Sequence, residues 1–158
     1  MNATPEHRES APEATNAASA LTELEPGQEV LRRTYAIDRG RLVRYAGASG
    51  DFNPIHYSDR AATEAGLPGV IAHGMLTMGL AGSAVVDWAG DPAAVAEYGV
   101  RFTRPVVVPD PGEAEIEVVG TVGSVDLAAS SVRVDLKVTC DGTTVLAKAQ
   151  AVIRLGSP

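Results

Sequence analysis

The chain has 158 residues, enough for one ordinary domain and too few for two comfortable ones. Its 13 Lys and Arg residues stand against 20 Asp and Glu, a net charge of −7, which argues against a face built for nucleic acid or anionic lipid, since phosphate contacts need concentrated basic charge. Aromatic residues make up only 4%, so the core has to be assembled mainly from Ala, Val and Leu.

Residues 1–24 mix Ala, Glu, Pro, Thr and Ser without a repeating apolar face, and carry Glu6, Glu9, Glu13 and Glu23 against Arg8. Such a segment cannot bury enough surface to offset its ordering entropy, so a disordered tail is expected over 1–24 and a single domain over 25–158. The tail holds −3 of the charge and leaves the domain near −4. No apolar run near the N-terminus suits a signal peptide. The longest apolar stretch, Gly74 to Val86, is shorter than the roughly 20 residues a membrane span needs. One cysteine, Cys140, cannot form an internal disulfide and reads as core filler in a strand. A cytoplasmic protein with no membrane or nucleic-acid partner is expected.

After the Pro26-Gly27 turn, Gln28 to Ile37 reads as a strand. Asp38 is a good N-cap for a short helix through Leu42, Val43 and Ala46, stopped by Gly47 and Gly50. The segment Ser49 to Asp59 cannot be regular, because Pro54 lacks an N–H and pushes Asn53 out of the helical region. A second helix is expected from Ser58 or Asp59 to about Ala65, capped by Gly66. From Gly69 to Gly90 apolar residues fall all round a helical wheel, the sign of a helix surrounded by protein.

Beyond it the period becomes two. Ala94 to Val107 and Glu113 to Val125 are candidate strands separated by the Pro109-Asp110-Pro111-Gly112 turn. Ser131 to Thr139 then alternates Val132, Val134, Leu136 and Val138 with polar residues. Asp141-Gly142 is a two-residue hairpin signal, and Thr143 to Leu155 returns as the partner strand. The order favours an antiparallel sheet wrapped on one central helix, an α+β architecture.

Of the three histidines, His7 lies in the tail, and His56 and His73 flank the segment that holds Asp51 and Pro54. On a continuous helix Asp51 and His56 would stand about 140° apart. Only an irregular backbone brings them together, and Asn53-Pro54 supplies one. A carboxylate and an imidazole converging on one water make a proton-transfer unit. The same residues also suit a plain turn, with Asp51 or Asn53 closing an Asx-turn and His56 a loop side chain. Downstream, His73-Gly74-Met75 opens the long helix, whose N-terminus offers unpaired N–H groups and a positive dipole end for a developing oxyanion. His73 itself suits packing or loop anchoring as well as a direct role.

Ser49 to His56 (SGDFNPIH) and Ala72 to Met75 (AHGM) together resemble the MaoC-like (R)-specific enoyl hydratase and (3R)-hydroxyacyl-ACP dehydratase family, over about residues 28 to 155. AHGMLTMG and EYGVRFTRPVVVP are most similar to the catalytic B subunit of the mycolic-acid-type dehydratases. The resemblance implies a hot-dog fold, a curved antiparallel sheet around a long helix, paired as a homodimer or with a second hot-dog subunit. It implies reversible hydration of trans-2-enoyl thioesters of CoA or acyl carrier protein to (3R)-3-hydroxyacyl thioesters, without cofactor. Asp51 and His56 would act on water and Gly74 N–H on the thioester oxygen. Asn53 and His73 would serve the substrate side of the site, Asn53 also fixing the loop. Members of the family often carry Ser eight residues after the motif Gly; here that position is Gly82, with Ser83 beside it.

Three other readings compete. A hot-dog thioesterase needs an acid on the central helix, where only Asp87 is found. A non-catalytic acyl-binding subunit would not need both Asp51 and His56. A metal site from Asp51, His56 and His73 has the right donor types. Arg32, Arg33, Arg39, Arg41, Arg44, Arg101 and Arg104 are candidates for meeting an anionic carrier, although scattered arginines also make an ordinary solvated surface.

Overall fold

The structure, a computed structural model, describes residues 21–154. Five strands, β1 (Glu29–Ile37), β2 (Val95–Phe102), β3 (Ala114–Asp126), β4 (Ser131–Cys140) and β5 (Thr143–Arg154), form one antiparallel sheet in the order β1-β3-β4-β5-β2. Between β1 and β2 come three helices, α1 (Arg39–Ser49), α2 (Asp59–Glu64) and α3 (Gly74–Ala89). The expected order of strand, short helices, long helix and four strands is the order observed.

The caps explain the short elements. Asp38 accepts the Arg41 N–H at 2.6 Å and starts α1, and Ser58 accepts the Ala61 N–H and starts α2. Gly50, at φ +74°, ends α1 in the left-handed region. Gly47 does not stop that helix as expected but lies within it. At the β4–β5 hairpin Asp141 and Gly142 both have positive φ, 49° and 72°, the pairing that a two-residue turn demands between right-twisted strands.

The alternation read in β4 holds: Val132, Val134, Leu136 and Val138 are buried while the intervening residues are less so. Together with Ile116, Val118 and Val122 of β3 they form the floor on which α3 lies, packed against β1, β2, β3 and β5. Leu76, Leu80, Ala81, Ala84 and Val85 are the helix's buried side. The expectation of a helix enclosed on all sides needs correction, since Met75, Gly79, Ser83 and Asp87, spaced four apart, lie along an exposed stripe. One sheet can cover one side of a helix, and among the described residues nothing covers the exposed stripe on the other.

Two boundaries also move. Leu21, in a 3-10 turn of Leu21–Glu23, is in the core and Leu24 packs against it, so residues 21–24 belong with the fold rather than with a tail. The rest of the expected tail, residues 1–20, lies outside the described residues. Strand β2 ends at Phe102 rather than Val107. Past Pro105, the chain leaves the sheet edge and Val107 bridges Ile71 instead, with Ala72 N–H donating to Val106 O at 2.8 Å and Val108 N–H to Val70 O at 2.9 Å.

Candidate active site

The motif loop is a chain of nested side-chain turns. Asp51 Oδ1 accepts the Asn53 N–H at 3.2 Å, and Asn53 Oδ1 accepts the Ile55 N–H at 3.2 Å, which starts a 3-10 turn at Pro54–His56. Pro54 suits the first position of that turn because its missing N–H would have no partner there. The turn swings His56 back toward Asp51, so that His56 Nε2 stands 3.9 Å from Asp51 Oδ2. The two oxygens of Asp51 therefore have different surroundings. One carboxylate oxygen closes an Asx-turn, and the other faces the imidazole.

His56 is buried, and its Nδ1 lies 2.8 Å from the Ile71 carbonyl. A carbonyl oxygen only accepts, so Nδ1 donates to it, and Nε2 is the ring nitrogen left on the side of Asp51. At 3.9 Å the two groups are too far apart for a direct hydrogen bond and close enough to share a small bridging molecule. Ile71 also donates its N–H to the Ile55 carbonyl, so a single residue grips the loop from both sides of its own peptide.

His56 and Gly74 share the wall of a cavity of about 290 Å³ with Ile71, Thr77, Phe102, Arg104 and Leu146 among others. Gly74 is the first residue of α3, and its N–H has no hydrogen-bond partner among the described residues. A Cβ at Gly74 would come within 3.1 Å of the Phe102 ring, so the helix start and the end of β2 already touch there. Asp51 is not on that wall; its side chain is about half exposed, at 53%.

The other two expected residues lie behind the dyad. Asn53 spends its side chain on the cap of the 3-10 turn. His73 is 2% exposed and does not line the cavity; its Nε2 is 3.1 Å from the Asp51 carbonyl, and its ring stacks on that of His56 with centroids 3.8 Å apart. Neither side chain lines the cavity: Asn53 caps the turn, and His73 packs on His56 and meets the Asp51 carbonyl. Asp51, His56 and His73 do place one donor atom each within 4.8 Å of one another. Yet Nδ1 of His56 and Nε2 of His73 are turned to carbonyls, and lone pairs that lie in stacked ring planes, 22° apart, do not meet at one nearby point.

Sequence reading missed the Ile71 carbonyl and the cavity residues of β5, Val145 and Leu146. No local signal marks them, since they arrive by packing. Of the seven candidate arginines, Arg39 is tied to Asp59 and the Val108 carbonyl, Arg32 to Glu29 and Glu117, and Arg44 to Asp38; Arg104 is the one on the cavity wall. Asp87 is exposed 13 residues along α3 from Gly74, about 20 Å at the helical rise, too far to reach a group held at Gly74. No helix among the described residues is long and apolar enough to cross a membrane.

Comparison with known proteins gives the site its relatives. Residues 21–141 match the model of the MaoC-like domain. A 3-hydroxyacyl-thioester dehydratase of Mycobacterium tuberculosis is 44% identical over 86 residues, which cover 54% of this chain and 28% of the relative. A solved MaoC-like dehydratase superposes with a TM-score of 0.83 at 38% identity, over 86% of this chain and 42% of that one. The chain thus matches less than half the length of these two. An (R)-hydratase from Pseudomonas aeruginosa matches nearly end to end, with a TM-score of 0.74 and 29% identity over 87% of this chain and 86% of its own. The five-stranded sheet with α3 laid across it is a hot-dog fold, and the chain belongs to the MaoC-like dehydratase family.

Proposed function

We propose that this chain catalyses the reversible hydration of trans-2-enoyl thioesters to (3R)-3-hydroxyacyl thioesters. The observation that carries the reading is the free Nε2 of His56 facing Asp51 Oδ2 across 3.9 Å beside the unpaired N–H of Gly74. In the hydration direction a water held between Asp51 and His56 loses a proton to the pair as its oxygen bonds to Cβ. The electrons of the double bond move through Cα onto the thioester oxygen. Gly74 N–H, at the positive end of the α3 dipole, stabilises that enolate, and a proton from the pair then returns to Cα. Asn53 keeps Asp51 in place by donating its backbone N–H to Asp51 Oδ1.

Arg104, at the cavity, is the side chain we assign to the anionic carrier, CoA or acyl carrier protein. Pairing with a second hot-dog subunit, identical or not, is supported by three features. Asp51 is half open, Phe52, Met75 and Phe102 are large exposed apolar residues, and among the described residues β2 is an edge strand paired only with β5. A buried, unpaired Cys140 fits a reducing cytoplasmic setting.

The test is disappearance of the enoyl-thioester absorbance of trans-2-butenoyl-CoA and longer homologues, on both carriers, with chiral analysis of the product. Turnover by the wild type that is lost in Asp51→Asn supports the proposal. Release of free thiol without a hydroxyacyl product, or equal turnover in the variant, overturns it.

A further inference from the structure

We infer that His73 is a positioning residue of the hydration site, holding both members of the pair from behind. The inference rests on the hydratase reading above and adds a role for a side chain that does not reach the cavity. A donor N–H at Nε2 meets the Asp51 carbonyl at 3.1 Å and fixes the backbone from which that carboxylate springs. The face of the same ring lies on His56, centroids 3.8 Å apart and planes within 22°, and so fixes the plane in which His56 Nε2 points. Tyr45 packs against the His73 ring, with centroids 4.9 Å apart and a 59° tilt. One imidazole thus sets the position of an oxygen and the direction of a nitrogen whose separation the chemistry depends on.

The cost of this arrangement is visible. His73 Nδ1 is sealed from solvent and has no hydrogen-bond partner among the described residues. A buried acceptor without a donor is destabilising, and an apolar ring would fill the same space without it. Packing alone therefore favours Phe at this position. What Phe lacks is the N–H at the ring edge. A flat ring of this size with an edge donor is what His supplies, and the two uses made of it converge on Asp51 and His56.

The experiment compares full-length wild type, His73→Phe and His73→Gln. Phe keeps the stacked ring without the donor, and Gln keeps a donor without the ring. His73→Phe loses the bond to the Asp51 carbonyl and removes the unpaired Nδ1, two effects of opposite sign, so its melting temperature is expected within a few degrees of the wild type while kcat on trans-2-butenoyl-CoA falls on the order of 10²-fold with KM little changed, the signature of displaced catalytic groups. Amide exchange at Asn53 and Ile55 should quicken in His73→Phe and stay slow in His73→Gln, with β3 and β4 unchanged. Wild-type kcat in His73→Phe, a fall in melting temperature parallel to the loss of kcat, or unaltered exchange at Asn53 and Ile55 overturns the inference. The exchange measurement needs no turnover. A wild type inactive on every enoyl thioester would therefore remove the hydratase reading while the tether was still decided.

Discussion

The ring of Tyr98 stands where a side chain at Gly82 would begin. A Cβ built on Gly82 meets Tyr98 Cε1 at 3.1 Å, and the Tyr98 hydroxyl donates to the Met78 carbonyl at 2.8 Å, one turn earlier on α3. Serine, the residue that the family resemblance leads one to look for at this position, is thus replaced by the flank of an aromatic ring. Ser83 does not take over, since its hydroxyl donates to the Gly79 carbonyl.

Gly82→Ser should therefore be slightly harmful. Helix propensity favours Ser over Gly by about 0.5 kcal/mol, whereas displacing a packed ring costs about 1–3 kcal/mol. Urea unfolding should show a net loss near 1 kcal/mol, with no gain in hydratase turnover.

Substitutions in the dyad should separate stability from activity. Asp51→Asn can still accept the Asn53 N–H through its amide oxygen, so the loop keeps its turn and the melting temperature should hold. Turnover should fall about 10²–10⁴-fold, the contribution expected of positioned acid–base groups. His56→Ala should lose turnover too, and in addition about 1–3 kcal/mol of stability, because it leaves the Ile71 carbonyl without its donor. Paired thermal melts and initial rates distinguish the two.

Gly74→Ala tests the cavity mouth. The added methyl presses on Phe102, whose ring is exposed and free to swing, so stability should change by less than about 0.5 kcal/mol, as for most surface substitutions. The displaced ring should narrow the cavity and raise KM for enoyl thioesters several-fold, with kcat less affected.

The alkaline limb of the stability curve should carry the mark of Tyr98. Burial pushes its hydroxyl up to about 12 from an ordinary 10. Above pH 10 the unfolded chain loses this proton while the folded chain keeps it, so the folded state is progressively disfavoured until about pH 12. The stability held below pH 10 is lost through that window. In Tyr98→Phe the fall between pH 10 and 12 should be shallower, as measured by urea midpoints across the range.

What could be read from the sequence was local. The Asp38 cap, the Asp141-Gly142 hairpin and the alternation of Val132 to Val138 each depend on residues within a few positions, and all lie where expected. The convergence of Asp51 and His56 was also local, because Pro54 breaks the backbone between them. Gly47 was misread because a glycine inside a helix is only mildly unfavourable and packing overrides it. Everything that needed a distant partner was hidden. His56 finds the Ile71 carbonyl 15 residues away, and Gly74 meets Phe102 across a helix and a strand. His73 was legible as a residue of interest, but whether it faced a ligand or the rear of the dyad was a matter of packing.

Val70, Ile71 and Ala72 join two structures that otherwise have little to do with each other. On one side Ile71 holds the motif loop; on the other Val70 and Ala72 are laced to Val106 and Val108. The sheet is long and mutually paired, whereas this splice is three residues wide. The proposed site therefore hangs on a fastening that can open while the sheet stays shut, and under heat or denaturant it should keep a faster clock than the fold that carries it.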